Sequence, residues 1–325
     1  MTHPVRMVVL TLALYLMAAC RANAAAPARV EDDVDLTVVA PHAPVAAPLL
    51  TSEGGWYISI RKLPTGTETF RLPYTSGTVT KMALSNDGKL LAVSSGRMIW
   101  LWSVTPNAEP RPLQIVDYQR IQAVDFAFCD DDKSLVATYD YGIAAVFSTK
   151  TGEMVSQHQF TRVRPNRGDN KFLATCLKDD LVIGGLGKIF TLRRQSNTFG
   201  GGPSVEFEPM TALTASTQSG YFVVGEPDGT LSTWASGSEK PVSRKVTDLD
   251  SVTCLVLSKS GSILLAGGSG GRVEAFSMPD LKLLKRFKRR NAPIQSIGFG
   301  AGEQTVVFSS NGQLFTDSLT APAKK

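Results

Sequence analysis

The sequence predicts an all-β fold: a seven-bladed β-propeller of four-stranded antiparallel blades, closed by an N-terminal strand. Three observations carry the prediction. A six-residue signature returns seven times, with a glycine, an apolar residue two positions on and a large apolar or aromatic residue five positions on. The last positions of these segments are spaced by 42, 45, 45, 42, 42 and 41 residues, the repeat length of one propeller blade. Short apolar runs alternate with turn residues along the chain, and no useful stretch shows the 3.6-residue period of a helix. A four-stranded sheet cannot bury both faces by itself, so neighbouring sheets must cover each other around a ring.

The signature occupies 55–60, 97–102, 142–147, 187–192, 229–234, 271–276 and 312–317. The second copy lacks the glycine and the seventh lacks the final bulky residue. It is expected to be the third strand of each blade, with Trp102, Phe147, Trp234 and Phe276 buried between adjacent sheets. Upstream of each copy stands a hairpin, clearest at 82–93, where Asp87-Gly88 supplies the left-handed backbone of a tight turn. The hairpin recurs around Asp131-Asp132, Ser219-Gly220, Ser260-Gly261 and Gly302-Glu303, while Thr65-Gly66 and Thr151-Gly152 lead into a fourth strand. The last repeat runs out after three strands. The segment 34–39 is expected to supply the missing outer strand; the alternative places it in the first blade.

These residues resemble WD40-type propellers. The stretch 227–234 (Pro-Asp-Gly-Thr-Leu-Ser-Thr-Trp) looks like the family's third strand, and 85–93 with 99–102 looks like its second and third. The chain departs from the family in having no Trp-Asp pair and no Gly-His dipeptide, since its histidines are His3, His42 and His158. It reads as a degenerate, bacterial-type relative (YVTN/quinoprotein-like) without the Asp-His-Ser-Trp network that staples eukaryotic blades.

The N-terminus carries a basic start and an apolar run at 8–17, too short to span a bilayer and suited to a secretory signal peptide. Two processing sites remain open. Ala22-Asn-Ala24 fits ordinary cleavage, whereas the stretch 16–20 ending in Cys20 looks like a bacterial lipobox with Cys20 lipidated. The expected organisation is a signal peptide at 1–24 (1–19 for a lipoprotein), an Ala/Pro-rich leader at 25–48, a propeller at 49–319 and a tail at 320–325. Export places the protein in the periplasm, anchored to the outer membrane if Cys20 is acylated. Cys129, Cys176 and Cys254 lie in three repeats without Cys-x-x-Cys spacing, so neither zinc nor a redox pair is indicated. Cys176 and Cys254 read as small buried apolar residues.

Chemistry is sparse. Two histidines in the mature chain, one in the leader and one in an outer strand, leave little for acid–base or metal catalysis. Asp130-Asp131-Asp132 falls where other repeats turn, which favours turn chemistry over calcium. Gly200-Gly-Gly202 precedes no helix and is no phosphate loop. No catalytic residue, cofactor or metal site is predicted.

Charge is more informative. The net charge is only +5, but cations cluster in the connections between blades: Arg120; Arg162, Arg164, Arg167 and Lys171; Arg244 and Lys245; and the run 285–290, which includes Lys288, Arg289 and Arg290 with Phe287 interleaved. Such a face suits an acidic envelope protein, anionic lipid or a polyanionic glycan; export argues against nucleic acid. The alternative is a solvated face that only keeps the protein soluble. On the opposite face the long loop 193–203 carries Phe199 as a candidate partner contact. The reading favoured is a non-enzymatic interaction scaffold of the bacterial envelope. The alternative is a small-molecule or glycan binder, or an enzyme, working at the central channel.

Overall fold

The computed structural model describes residues 37–319, apart from 53–54, 75–78, 96–97, 114, 116–120, 162–171, 179, 196–197 and 208. Seven antiparallel sheets form the propeller ring. From the inside outward, the first contains β1 (Thr37–Val39), β2 (Val45–Ser52), β3 (Gly55–Lys62) and β4 (Thr67–Pro73), and the second β5 (Lys81–Leu84), β6 (Leu90–Ser95), β7 (Met98–Ser103) and β8 (Arg111–Leu113). The third holds β9 (Ala123–Cys129), β10 (Ser134–Tyr139), β11 (Ile143–Ser148) and β12 (Met154–Gln159). The fourth holds β13 (Leu173–Cys176), β14 (Asp180–Gly185) and β15 (Lys188–Gln195), whose two halves pair with β16 (Thr198–Gly200) and β17 (Ser204–Glu206). The fifth comprises β18 (Ala212–Ala215), β19 (Tyr221–Gly225), β20 (Thr230–Ala235) and β21 (Ser243–Val246), and the sixth β22 (Val252–Leu257), β23 (Ile263–Gly268), β24 (Val273–Ser277) and β25 (Lys282–Arg286). The seventh has β26 (Ile294–Phe299), β27 (Thr305–Ser310) and β28 (Gln313–Ser318).

Every signature segment is the third strand of its sheet. The glycine that opens it answers two demands. Gly229 and Gly271 have φ of +81° and +77°, and a Cβ on them would stand 1.8 Å from the Leu249 carbonyl oxygen and 2.3 Å from that of Arg290. The connection to the next sheet therefore passes directly over the turn, where only glycine fits. The bulky residue that closes the signature is buried: Trp102, Phe147, Trp234 and Phe276 all lie between sheets at 3% exposure or less.

The N-terminal strand closes the ring differently from the expectation. β1 pairs with β2 as the innermost strand of the first sheet, so residues 37–39 do not complete the last one. The physical reason is the short β1–β2 connection, which folds back through an Ala40 N–H to Val45 carbonyl bond of 2.9 Å. Closure comes from lateral bonds instead: Val39 N–H donates to Ser296 Oγ at 2.9 Å and Phe299 N–H to the Pro41 carbonyl at 2.9 Å.

The cysteine reading also changes. Cys129 and Cys176 form a disulfide with their Cα atoms 5.7 Å apart. They end the inner strands β9 and β13 of neighbouring sheets, where strands converge on the axis. Cys176 is therefore not the small buried apolar residue expected from the sequence. In the chain-entropy account a link closing this 47-residue separation is worth about 4 kcal/mol. Cys254 is free and half-buried.

Replacing Trp234 by Ala is expected to cost about 3–5 kcal/mol in chemical denaturation, because its ring packs against Phe207 and Phe222. A loss below about 1 kcal/mol would contradict the inter-sheet placement.

Candidate functional site

Much of the expected basic face is engaged with the frame, either within a sheet or between neighbouring sheets. Arg244 on β21 places Nη2 2.8 Å from Oε2 of Glu226, whose Oε1 accepts Ser232 Oγ at 2.9 Å. Arg286 on β25 donates from Nε to Glu274 Oε1 at 2.9 Å and pairs through Nη2 with Asp248. Glu226 and Glu274 are almost fully buried, so each arginine satisfies a carboxylate that water does not reach. Lys245 Nζ donates to the Leu281 carbonyl at 2.9 Å in the next sheet, and Lys285 Nζ lies 3.5 Å from Asp317 in the seventh.

Of the residues singled out in the sequence, Lys288 and Arg289 are exposed, with Arg289 Nε donating to the Gly270 carbonyl at 2.8 Å. Arg290 is half-buried, its guanidinium 3.8 Å above the Phe315 ring, and acts as packing as much as charge. Phe287 is buried rather than presented to a partner. Cys20, Arg120, Arg162, Arg164, Arg167 and Lys171 lie outside the described residues. On the opposite face the loop read at 193–203 is partly the hairpin β15–β16. Phe199 is half-buried against the cluster containing Phe172 and Leu181 instead of standing free.

The axis of the ring holds a cavity of about 850 Å³ lined by all seven inner strands. Near the start of these strands Lys81 Nζ sits 2.8 Å from Asp125 Oδ1, and Asp125 Oδ2 accepts the Ala174 N–H at 3.0 Å. One carboxylate thus ties the second, third and fourth sheets. Asp125 holds the Lys81 ammonium above its ordinary pKa despite burial. On the same wall burial pushes the Cys254 thiol up to about 12, which makes it a poor nucleophile at neutral pH.

At the other mouth the turns between first and second strands interlock. Asp132 accepts the backbone N–H groups of Asn86 and Asp87 at 2.9 and 3.0 Å, and Asn86 Nδ2 at 2.8 Å. Asp130, Asp131 and Asp132 all have positive φ, so this run is the turn that the repeat pattern called for. Glu303 in the seventh sheet repeats the device, accepting the Lys259 N–H of the sixth at 2.5 Å. Above it stands His42, on the β1–β2 connection rather than in a detached leader, stacked on Phe299 with ring centroids 6.1 Å apart. Its Nδ1 is 3.4 Å from Glu303 Oε1 but too poorly aligned for a hydrogen bond.

Sequence reasoning missed Glu226, Glu274 and Asp125. A signal existed for Glu274: it occupies the fourth signature position, where other copies carry Ile58, Ala145 or Phe190, and Arg286 lies directly opposite it on the next strand.

Residues 66–103 match the WD40 family described as WD domain, G-beta repeat. The matched stretch runs from the turn at Gly66 through β4, β5 and β6 to the end of β7, one outer strand followed by the first three strands of the next sheet. No curated protein matches the chain.

The His42 environment gives a pH prediction. Burial, aided by Lys259, lowers its pKa below 6.5 against the opposing pull of Glu303 and Asp132. As pH falls through 6.5 the unfolded chain takes up this proton before the folded one, so stability is full above that pH and declines below it. His42→Gln is expected to flatten this part of the decline between pH 7.5 and 5.5 in urea titrations. An identical slope in the variant would remove His42 from the account.

Proposed function

We propose that the chain is a non-enzymatic interaction scaffold of a bacterial cell envelope, exported to the periplasm, whose rigid ring presents connecting loops to partner proteins in a secretion, pilus or outer-membrane assembly. One observation carries the reading. Asp125, Asp132, Glu226, Glu274 and Glu303 each accept hydrogen bonds or salt bridges that fix the frame. Charges committed in this way build a stiff platform rather than a reactive centre. The Cys129–Cys176 disulfide supports an oxidising compartment outside the cytosol.

A second reading, a small-molecule or glycan binder at the channel, is favoured by the 850 Å³ axial cavity, whose lining includes the Lys81–Asp125 pair and Gln295. Asp125→Asn, which keeps the shape but removes the charge, discriminates. A bound metabolite released from the natural protein and missing from this variant in native mass spectrometry would favour the channel.

For the platform, the test replaces Arg162, Arg164, Arg167, Lys288 and Arg289 together by Ser, leaving Arg290 in place because of its stacking on Phe315. The melting temperature is expected to change little, and recovery of partners from cross-linked envelope fractions to fall, most at low ionic strength. Unchanged recovery would assign these charges to solubility. Cys20→Ser is expected to move the protein from the membrane pellet to the soluble fraction. A mature chain beginning at Ala25 by mass would exclude the lipid anchor.

A further inference from the structure

Among the described residues six sheets have an outer strand, and the seventh ends at β28, which pairs with β27 alone. The register around Asn311-Gly312 pairs Ser310 with Gln313, Phe308 with Phe315 and Val306 with Asp317. Across a two-residue hairpin turn these are the hydrogen-bonded pairs, so Leu314, Thr316 and Ser318 turn their backbone N–H and C=O groups outward. The Ser318 carbonyl confirms the phase, since it accepts Lys285 Nζ at 2.5 Å from the neighbouring sheet. Thr316, in the middle of the edge, is exposed.

The seam on this side is also thin. Val39, Ala46, Leu63 and Val307, with Leu314 half-buried beside them, form the smallest apolar cluster among the described residues. Elsewhere the outer strand of one sheet reaches the third-to-fourth turn of the next, as Ser243 Oγ does to the Pro279 carbonyl at 2.6 Å. In the first sheet that turn begins at Lys62, which is exposed.

We propose that the edge of β28 is a docking slot for an extended segment of a partner protein, which adds as the fourth strand of the last sheet; this rests on the platform reading and names its contact. The slot is one strand wide, about 4.8 Å, and recessed behind the outer strands β25 and β4, which admits a single extended chain and keeps out the edge of a second ring. Outer strands here alternate half-buried and exposed residues, as β4, β12 and β25 do, so the incoming segment alternates as well. Its side chains meet the half-buried Leu314 inward and the exposed Lys62 along the border, Lys285 being already held by Asp317 and the Ser318 carbonyl. The occupant is therefore a strand of alternating apolar and acidic residues, held by main-chain hydrogen bonds and selected by charge.

The probe is a fluorescein-labelled peptide, Thr-Val-Glu-Val-Glu-Val-Thr, titrated into the full chain and read by anisotropy. The acidic peptide is expected to bind about tenfold or more tightly than the same peptide with Lys for Glu, a difference of one factor of ten in affinity. Thr316→Pro, which removes the central outward N–H, is expected to weaken binding about tenfold, and Thr316→Ala to leave it unchanged. A peptide N-methylated at alternate amides repeats the loss on the unaltered protein, so a poorly folded Pro variant does not blunt the test. Equal affinity for acidic and basic peptides, or full binding by the N-methylated one, would overturn the proposal. So would slow hydrogen exchange at the Thr316 amide in the free monomer, which would mean that the chain's own segment fills the slot, or a dimer in light scattering. None of these results touches partner recovery through Lys288 and Arg289, which tests the platform separately.

Discussion

A four-stranded sheet has two faces that must leave water, and in this ring each face has a single neighbour to supply the covering. Burial is therefore mutual. Trp234 on β20 shares its face with Phe222 of its own sheet and is covered by Val182, Ile189 and Phe207 from the fourth, and Trp102, Phe147 and Phe276 are buried in the same way around the axis. The signature glycine serves the same constraint from the backbone side. It lets the connection between sheets lie close over the preceding turn, which sets the distance at which large side chains can interdigitate.

The polar part of the structure completes this packing. Separate carboxylates anchor the frame, some where adjacent sheets meet and some within one sheet. Asp132 and Glu303 cap turn N–H groups of the preceding sheet, Asp125 spans three sheets at the axis, and Glu226 and Glu274 hold Arg244 and Arg286. Asp125, Asp132 and Glu303 satisfy donors across a junction of sheets, whereas Glu226 and Glu274 satisfy donors of their own sheet. The cost is that several cations available by composition are not available for recognition.

The fold was legible because periodicity is a property of the chain. Forty-odd residues per copy, a glycine at a left-handed turn and a bulky residue five positions later can be counted without knowing a partner. Element type and order followed from them. The parts that were not legible depend on which sheets become neighbours. The Cys129–Cys176 bridge needs two inner strands to converge, the stacking of Arg290 on Phe315 needs the seventh sheet beside the sixth, and the burial of Phe199 needs β16 folded back on β15. Loop charges could be read as a face, but their carboxylate partners are scattered, Glu226 in the turn after β19, Asp248 in the connection before β22 and Glu274 inside β24. Only Glu274 broke an apolar strand pattern visibly.

The disulfide has a mechanical consequence. It fastens the third and fourth sheets at the axis, nearly opposite the seam where the last sheet meets the first, and among the described residues that seam holds the smallest apolar cluster. A ring pinned on one side and lightly latched on the other opens as a clasp does. Thermal excursions part the latch first, while the sheets flanking the pin stay in register around a fixed hinge, and the ring can close again without searching for its own order.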